Sequence, residues 1–112
     1  MNAQRAEKLK NLGNEEFKLK NYSGAIKYFT ESLQVCPSEN TYSNRAAAYI
    51  AQNDFKKAID DCQAGLRINE KFPRLYKRLF KAHLSLGNLR EAEAALIRAK
   101  ELEVSAKENK MD

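Results

Sequence analysis

"DFKKAIDDCQAGLRI", residues 54–68, repeats a pattern that appears twice more in the chain, as NYSGAIKYFTESLQV at 21–35 and as NLREAEAALIRAKEL at 88–102. The fifth residue of each stretch is an alanine: Ala25, Ala58 and Ala92. These alanines lie 33 and then 34 residues apart. A small residue follows each of them by seven positions: Ser32, Gly65 and Ala99. Because small side chains at helical spacing let a neighbouring helix approach closely, the pattern predicts three packed helices of one kind.

The segments in front of these stretches also have the apolar spacing of helices. They cover about 6–20, 39–53 and 73–87. Turn-forming pairs separate each segment from the stretch that follows it: KN at 20–21, ND at 53–54 and GN at 87–88. Pro73 suits the first turn of a helix, since its missing N–H would have no partner there. The sequence therefore predicts an all-α protein of six helices in three hairpins, without a strand.

Length and composition limit the classes of protein to which this chain can belong. With 112 residues the chain can form one domain with a modest core. Its net charge of +5 suits an acidic ligand or a nucleic acid, so the location of the charge must decide. No apolar run approaches a membrane span, and the start, MNAQRAEKLK, lacks the apolar segment of a signal peptide. Cys36, Cys62 and His83 have no zinc-binding spacing. We therefore expect the two cysteines and the histidine to be packed side chains. We also expect the protein to bind no metal or other cofactor and to be cytoplasmic.

A period of about 34 residues built from helix–turn–helix units resembles the tetratricopeptide-repeat (TPR) family. The resemblance runs from about residue 6 to residue 103 and is carried by Leu12, Gly13, Tyr22, Ala25, Phe29, Pro37, Tyr42, Ala46, Tyr49, Phe55, Ala58, Tyr76, Gly87, Ala92 and Ala99. The chain departs from the family at Glu70, which takes the slot of Pro37, and at Phe80, which replaces a small residue. The resemblance implies a single domain, 1–112, wound into a short right-handed superhelix. Its three repeats would cover about 6–38, 39–72 and 73–104, followed by a polar tail, 105–112, that we expect to fray.

In this family the first helices of the repeats line a concave groove. The family's register implies that fourteen side chains face it: Lys10, Asn14, Phe17, Lys18, Asn44, Ala47, Ile50, Ala51, Arg74, Lys77, Arg78, Lys81, Leu84 and Ser85. None of them is a carboxylate. Arg74 and Arg78 lie one turn apart on one helical face, and so do Lys10 and Asn14. Cations and amides without an acid predict an anionic ligand, because ionic hydrogen bonds are about twice as strong as neutral ones.

This set is similar to the dicarboxylate clamp of heat-shock co-chaperones, such as the Hsp organising protein, TPR-containing DnaJ proteins, and TPR immunophilins and phosphatases. Four residues match that clamp: Lys10, Asn14, Asn44 and Arg78. Arg74 stands where the clamp usually has a lysine. The likeness implies an adaptor that binds the C-terminal Glu-Glu-Val-Asp tail of cytosolic seventy- and ninety-kilodalton heat-shock chaperones.

The same likeness implies a role for each residue of the clamp. The terminal main-chain carboxylate of the peptide would be held by Lys10, Asn14 and Asn44. Arg74 would meet the side chain of the last aspartate, and Arg78 would reach a residue or more upstream. A secondary set would shape the neighbouring groove: Phe17, Ala47, Ile50 and Lys81.

Other functions remain open at this point. A generic TPR scaffold would bind another protein or an internal peptide in a multiprotein assembly. A nucleic-acid binder would track phosphates with the basic strip, but Phe17 is the only aromatic residue among the fourteen. An enzyme is not expected, because Ser, Cys and His lack a usable spacing and the sequence has no Gly-rich phosphate loop. An uncovered edge near Leu96, Ile97 and Leu102 would allow pairing with another copy of the chain or with a segment outside this sequence.

Overall fold

Six α-helices make up the protein, and the computed structural model describes residues 1–111. The helices are α1 (Asn2–Lys18), α2 (Tyr22–Val35), α3 (Glu39–Ala51), α4 (Phe55–Ile68), α5 (Pro73–Leu86) and α6 (Leu89–Met111). Within residues 1–111 there is no strand. The predicted all-α fold of three hairpins is therefore confirmed, and Pro73 begins α5 as expected.

The local sequence explains where the helices of each hairpin end and begin. Lys20, Asn53 and Gly87 have positive φ angles of 63°, 61° and 80°. All three lie at the predicted turns, where a residue in the left-handed region ends a helix and lets the chain reverse. The side chains of Asn21 and Asp54, which come next, accept hydrogen bonds from backbone amides in the first turns of α2 and α4.

Small residues let the two helices of each hairpin pack closely. The three repeated alanines are almost completely buried, with exposures of 0%, 0% and 2%: Ala25, Ala58 and Ala92. Gly13 of α1 lies so close to the ring of Phe29 on α2 that a Cβ atom at position 13 would be 2.5 Å from Cε1. A larger residue there would force the first hairpin apart.

Apolar side chains between the hairpins join them into one stack. One cluster of buried residues connects α3, α4 and α5: Ala46, Ile50, Ala58, Cys62, Leu75 and Ala82. Another connects α2 and α3: Ala25, Phe29 and Ala48. Burying a side chain such as Phe29 or Leu75 contributes about 1.5–3 kcal/mol to stability. As a result α3 lies between α1 and α5 and contacts both, so the first helices of the three hairpins are neighbours.

The polar tail that we expect to fray is an extension of the last helix. Residues 105–111 continue α6 as helix, and Asp112 lies outside the described residues. The sequence of this part, SAKENKM, is polar but contains mostly residues of high helix propensity. Polarity therefore removes packing partners from the tail without ending the helix.

The predicted uncovered edge lies on this last helix. Ile97 is 50% exposed and Val104 is 54% exposed, whereas Leu96 and Leu102 are partly buried. A shallow hollow on α6 passes between Ile97 and Val104. No helix of the described chain is both long enough and apolar enough to cross a membrane.

Candidate functional site

Residues from all three first helices line one pocket of about 170 Å³. Its lining combines amides, a guanidinium and apolar side chains: Asn14, Phe17, Phe29, Asn44, Ala47 and Arg78. A second hollow of about 260 Å³ adjoins it and shares part of its lining. The residues that line this second hollow are Phe17, Tyr22, Ala47, Ile50, Ala51, Arg78 and Lys81. The structure thus brings together three of the five predicted clamp residues, from α1, α3 and α5. All four residues of the predicted secondary set lie in these two hollows.

The two asparagines of the pocket are joined by a hydrogen bond between hairpins. The Asn44 side-chain Nδ2 donates to Oδ1 of Asn14 at 2.9 Å. Each amide has two N–H donors, so this bond leaves both donors of Asn14 and one of Asn44 for an acceptor in the pocket. Because the bond fixes both amide planes, these donors are held in place before any ligand arrives.

Arg78 is the only cation in the lining of the smaller pocket. Its side chain is partly buried, and within the described residues its buried Nε has no hydrogen-bond partner. Burial lowers the pKa of Arg78, and repulsion from Arg74 lowers it further. An arginine nevertheless keeps its charge at neutral pH. The pocket therefore contains a positive charge and free donors that suit a carboxylate.

The other two predicted clamp residues do not line this pocket. The Nζ of Lys10 pairs with Oε1 of Glu7, one turn earlier on α1, at 3.0 Å. The guanidinium of Arg74 is exposed and its Cζ lies 5.8 Å from the centroid of the Phe72 ring. Both side chains are long and have several rotatable bonds, so each can reach a neighbour on or beside its own helix as well as the groove. Lys77, also expected to face the groove, instead pairs with a carboxylate of α6 at 3.2 Å.

Glu7 is a functional candidate that the sequence reasoning missed. It brings a carboxylate to Lys10, although the predicted groove positions contain no acid. The i, i+3 spacing of Glu7 and Lys10 in the segment EKLK was the available signal. Any anionic ligand of Lys10 has to displace Glu7 or share the lysine with it.

The remaining polar candidates have structural partners or are buried. His83 Nδ1 and Asn88 Nδ2 are 3.2 Å apart. Cys62 is fully buried, and burial raises the pKa of its thiol to about 12. No group of three or more potential metal ligands occurs in the described part of the chain.

Comparison with known proteins gives the same picture of the fold. The sequence profile of the family "Tetratricopeptide repeat" matches residues 6–39 and 40–72. Heat shock protein STI1 of Saccharomyces cerevisiae is 39% identical over 104 residues, which cover 91% of this chain and 18% of that protein. The chain therefore spans about a fifth of the length of this curated relative.

Two solved structures of similar domains contain chaperone peptides. The first TPR of Spaghetti (RPAP3) bound to the HSP90 peptide SRMEEVD superposes with a TM-score of 0.89. It is 33% identical and covers 90% of this chain and 81% of that chain. The TPR2B domain of yeast Sti1 in complex with an Hsp70 peptide has a TM-score of 0.90 at 28% identity, covering 94% and 85% of the two chains.

Proposed function

We propose that this chain, which belongs to the tetratricopeptide repeat family, is a binding module for the acidic C-terminal peptides of heat-shock chaperones that end in EEVD. The module acts as a co-chaperone adaptor. Related domains bind HSP90 and Hsp70 peptides of this class. The proposal concerns the recognition of one short chain end and no other activity of a longer protein.

The observation that carries the proposal is the pocket shared by Asn14, Asn44 and Arg78. Three helices supply donors there, and the pocket lining contains no acid to accept from them. Each hydrogen bond from such groups to a carboxylate contributes about 1.5–3 kcal/mol. A free chain end has a main-chain carboxylate, and a final aspartate adds a second one beside it. The main-chain carboxylate would bind in this pocket, and the exposed guanidinium of Arg74 would be available for the second carboxylate.

We assign a role to each residue of the clamp from the family resemblance. The terminal main-chain carboxylate is bound by Lys10, Asn14 and Asn44. Arg74 leaves Phe72 to bind the side chain of the last aspartate. Arg78 binds the peptide one or more residues upstream. The penultimate valine is accommodated by an apolar surface with a basic edge: Phe17, Ala47, Ile50 and Lys81.

We further infer that the module acts by binding and not by catalysis. A reactive nucleophile would need a base nearby, but the thiol of Cys62 is buried and its pKa is about 12. His83 is on the exposed end of α5, hydrogen-bonded to Asn88. We propose a cytoplasmic location, since the chaperones concerned are cytosolic and the free cysteines Cys36 and Cys62 suit a reducing compartment.

Calorimetric titration with EEVD peptides tests the proposal. The peptide with a free C-terminus should bind with a Kd on the order of 1 μM, because a few ionic hydrogen bonds are opposed by the cost of ordering the peptide. The same peptide with an amidated end should bind at least ten times more weakly. Asn14→Ala and Arg78→Ala should abolish binding while helicity by circular dichroism stays unchanged. Arg98→Ala, on α6 and away from both hollows, is the matched control.

The outcomes separate the competing functions. Equal affinity for the free and amidated peptides would refute the clamp and favour a generic scaffold for internal peptides. Binding of single-stranded nucleic acid with a steep dependence on salt would instead support phosphate tracking. Unchanged titrations for both Asn14→Ala and Arg78→Ala would also refute the assigned site.

A further inference from the structure

Arg45 follows Asn44 on α3 but faces the neighbouring second helices instead of the groove. Its Nε and Nη2 donate to the two carboxylate oxygens of Asp61 on α4, at 2.8 Å and 2.6 Å. Its Nη1 donates to Oγ1 of Thr30 on α2 at 3.0 Å. One guanidinium therefore joins α3 to its own hairpin through Asp61 and to the first hairpin through Thr30.

Two aromatic rings contact the guanidinium in addition to the acceptors that its N–H groups bind. Tyr42 and Tyr49 lie one turn before and one turn after Arg45, and their ring centroids are 5.9 Å and 5.7 Å from its Cζ. Cations at this distance from aromatic rings are attracted to them. The planar group thus has few alternative positions, and the two acceptors that it binds are restricted in the same way.

Stability alone is a poor reason for this ion pair. Asp61 is only 4% exposed, and burial raises the pKa of its carboxyl in spite of the bonds from Arg45. The bond to Asp61 raises the pKa of Arg45. Burial thus disfavours the charged carboxylate, whereas the bond favours the charged guanidinium. Buried ion pairs of this kind can often be replaced by apolar side chains without loss of stability, and their better-supported use is to select one arrangement of the elements.

The arrangement selected here decides where Asn44 lies. Consecutive residues of a helix differ by about 100° in direction, so the side chains of Asn44 and Arg45 respond together when α3 rotates. The 2.9 Å bond from Asn44 to Asn14 spans the same two hairpins as the bond from Arg45 to Thr30. A shift of about 1 Å between the hairpins would take either bond outside hydrogen-bonding distance.

We propose that Arg45 is a positioning residue for carboxylate recognition: by bridging Asp61 and Thr30 it fixes the rotation of α3 at which Asn44 and Asn14 direct their donors at one carboxylate. The inference rests on the proposed function, because it requires a terminal carboxylate as the ligand. An arginine suits this role because its planar fork binds both oxygens of Asp61 and the hydroxyl of Thr30 in one fixed geometry, whereas the three donors of a lysine diverge from a single nitrogen.

The test replaces the pair by apolar side chains and measures discrimination between chain ends. The variant Arg45→Met/Asp61→Leu should keep its helicity and its urea midpoint. Its affinity for a free EEVD peptide should fall about tenfold, which corresponds to one misplaced hydrogen bond to a charged group. Its affinity for the amidated peptide should not change, so the ratio of the two affinities should fall by the same factor. A purely structural role would leave that ratio as it is in the wild type.

Two further variants keep the result interpretable. Thr30→Val removes the bond from Arg45 to Thr30 and keeps the ion pair with Asp61, so it should lower the affinity for the free peptide less than the double variant does, by about threefold. Ser43→Ala is the matched control, since Ser43 precedes Asn44, is fully buried and has a hydroxyl without a hydrogen-bond partner among the described residues. It should leave both affinities unchanged.

The wild-type titration distinguishes the two ideas. A wild-type protein that does not prefer the free peptide would overturn the proposed function and, with it, the role of Arg45. A wild-type protein that prefers the free peptide, together with variants at Arg45, Asp61 and Thr30 that keep the full preference, would overturn the role of Arg45 alone.

Discussion

Replacing Arg78 by methionine should stabilise the fold and weaken peptide binding at the same time. The stem of Arg78 packs in the stack, but its buried Nε has no partner and its charge is close to that of Arg74. An unsatisfied buried donor costs about 1–3 kcal/mol, and methionine fills a similar volume without a donor or a charge. We expect Arg78→Met to raise the free energy of unfolding by about 1 kcal/mol. For a domain of this size that raises the Tm by about 4 °C.

The loss of binding follows from the same atoms. A guanidinium that bonds to a carboxylate of the peptide contributes about 1.5–3 kcal/mol, so its removal should weaken binding by roughly 10- to 150-fold. Urea unfolding in the absence of peptide measures the first effect, and calorimetric titration of the free EEVD peptide measures the second.

A control variant on α6 shows whether the effect comes from losing any positive charge or from losing the charge of Arg78. Arg98 is 3.6 Å from Glu101 and partly exposed, so Arg98→Met should change stability by less than about 0.5 kcal/mol and leave the affinity unchanged. If Arg78→Met lowers the urea midpoint and retains wild-type affinity, then Arg78 is a structural residue and the argument is wrong.

Two other predictions concern side chains near the groove and in the core. Glu7→Gln removes the competitor for Lys10 and should raise the affinity for the free peptide about two- to fivefold, the equivalent of an exposed ion pair; a lower affinity in titration would mean that Glu7 instead positions Lys10. At pH 8 a chromogenic disulfide reagent should modify Cys36 in the native protein but Cys62 only after unfolding, because a thiol with a pKa of about 12 is ionised in about one molecule in ten thousand. Rapid reaction of both thiols in the native protein would contradict this.

The sequence predicts the helices of this protein well because the same pattern of small and apolar residues recurs in each hairpin. Ala25, Ala58 and Ala92 recur at nearly constant spacing, and each is buried where a neighbouring helix approaches. The sequence also predicts the turns, since Asn53 and Gly87 are residue types that tolerate positive φ. The length of α6 is harder to predict, because the polar residues after Glu103 reduce packing but do not by themselves end a helix.

The candidate site was predictable only in part. A helical period fixes which face a residue occupies, and this is why Asn14, Asn44 and Arg78 meet in one pocket. It does not fix the rotamer of a long side chain. Lys10 and Arg74 occupy predicted faces, but each contacts a local partner that only the coordinates reveal.

The network around Arg45 could not be read from the sequence at all. Its partners Asp61 and Thr30 lie 16 and 15 residues away along the chain. Whether those three side chains meet depends on the rotation of three helices about their own axes. Spacing within one helix carries no information about such rotations.

Net charge alone would make this domain attractive to almost any acidic segment, since a charge of +5 acts at long range and with little selectivity. The pocket adds a requirement that charge does not impose. Asn14 and Asn44 have hydrogen-bonded amides with unused donors, and the buried Nε of Arg78 has no acceptor among the described residues. An internal acidic residue offers one carboxylate, whereas a chain end that finishes in aspartate offers two carboxylates on the same residue. Because the ligand is disordered before binding, the selectivity for a chain end has to come from donors that the protein has already ordered.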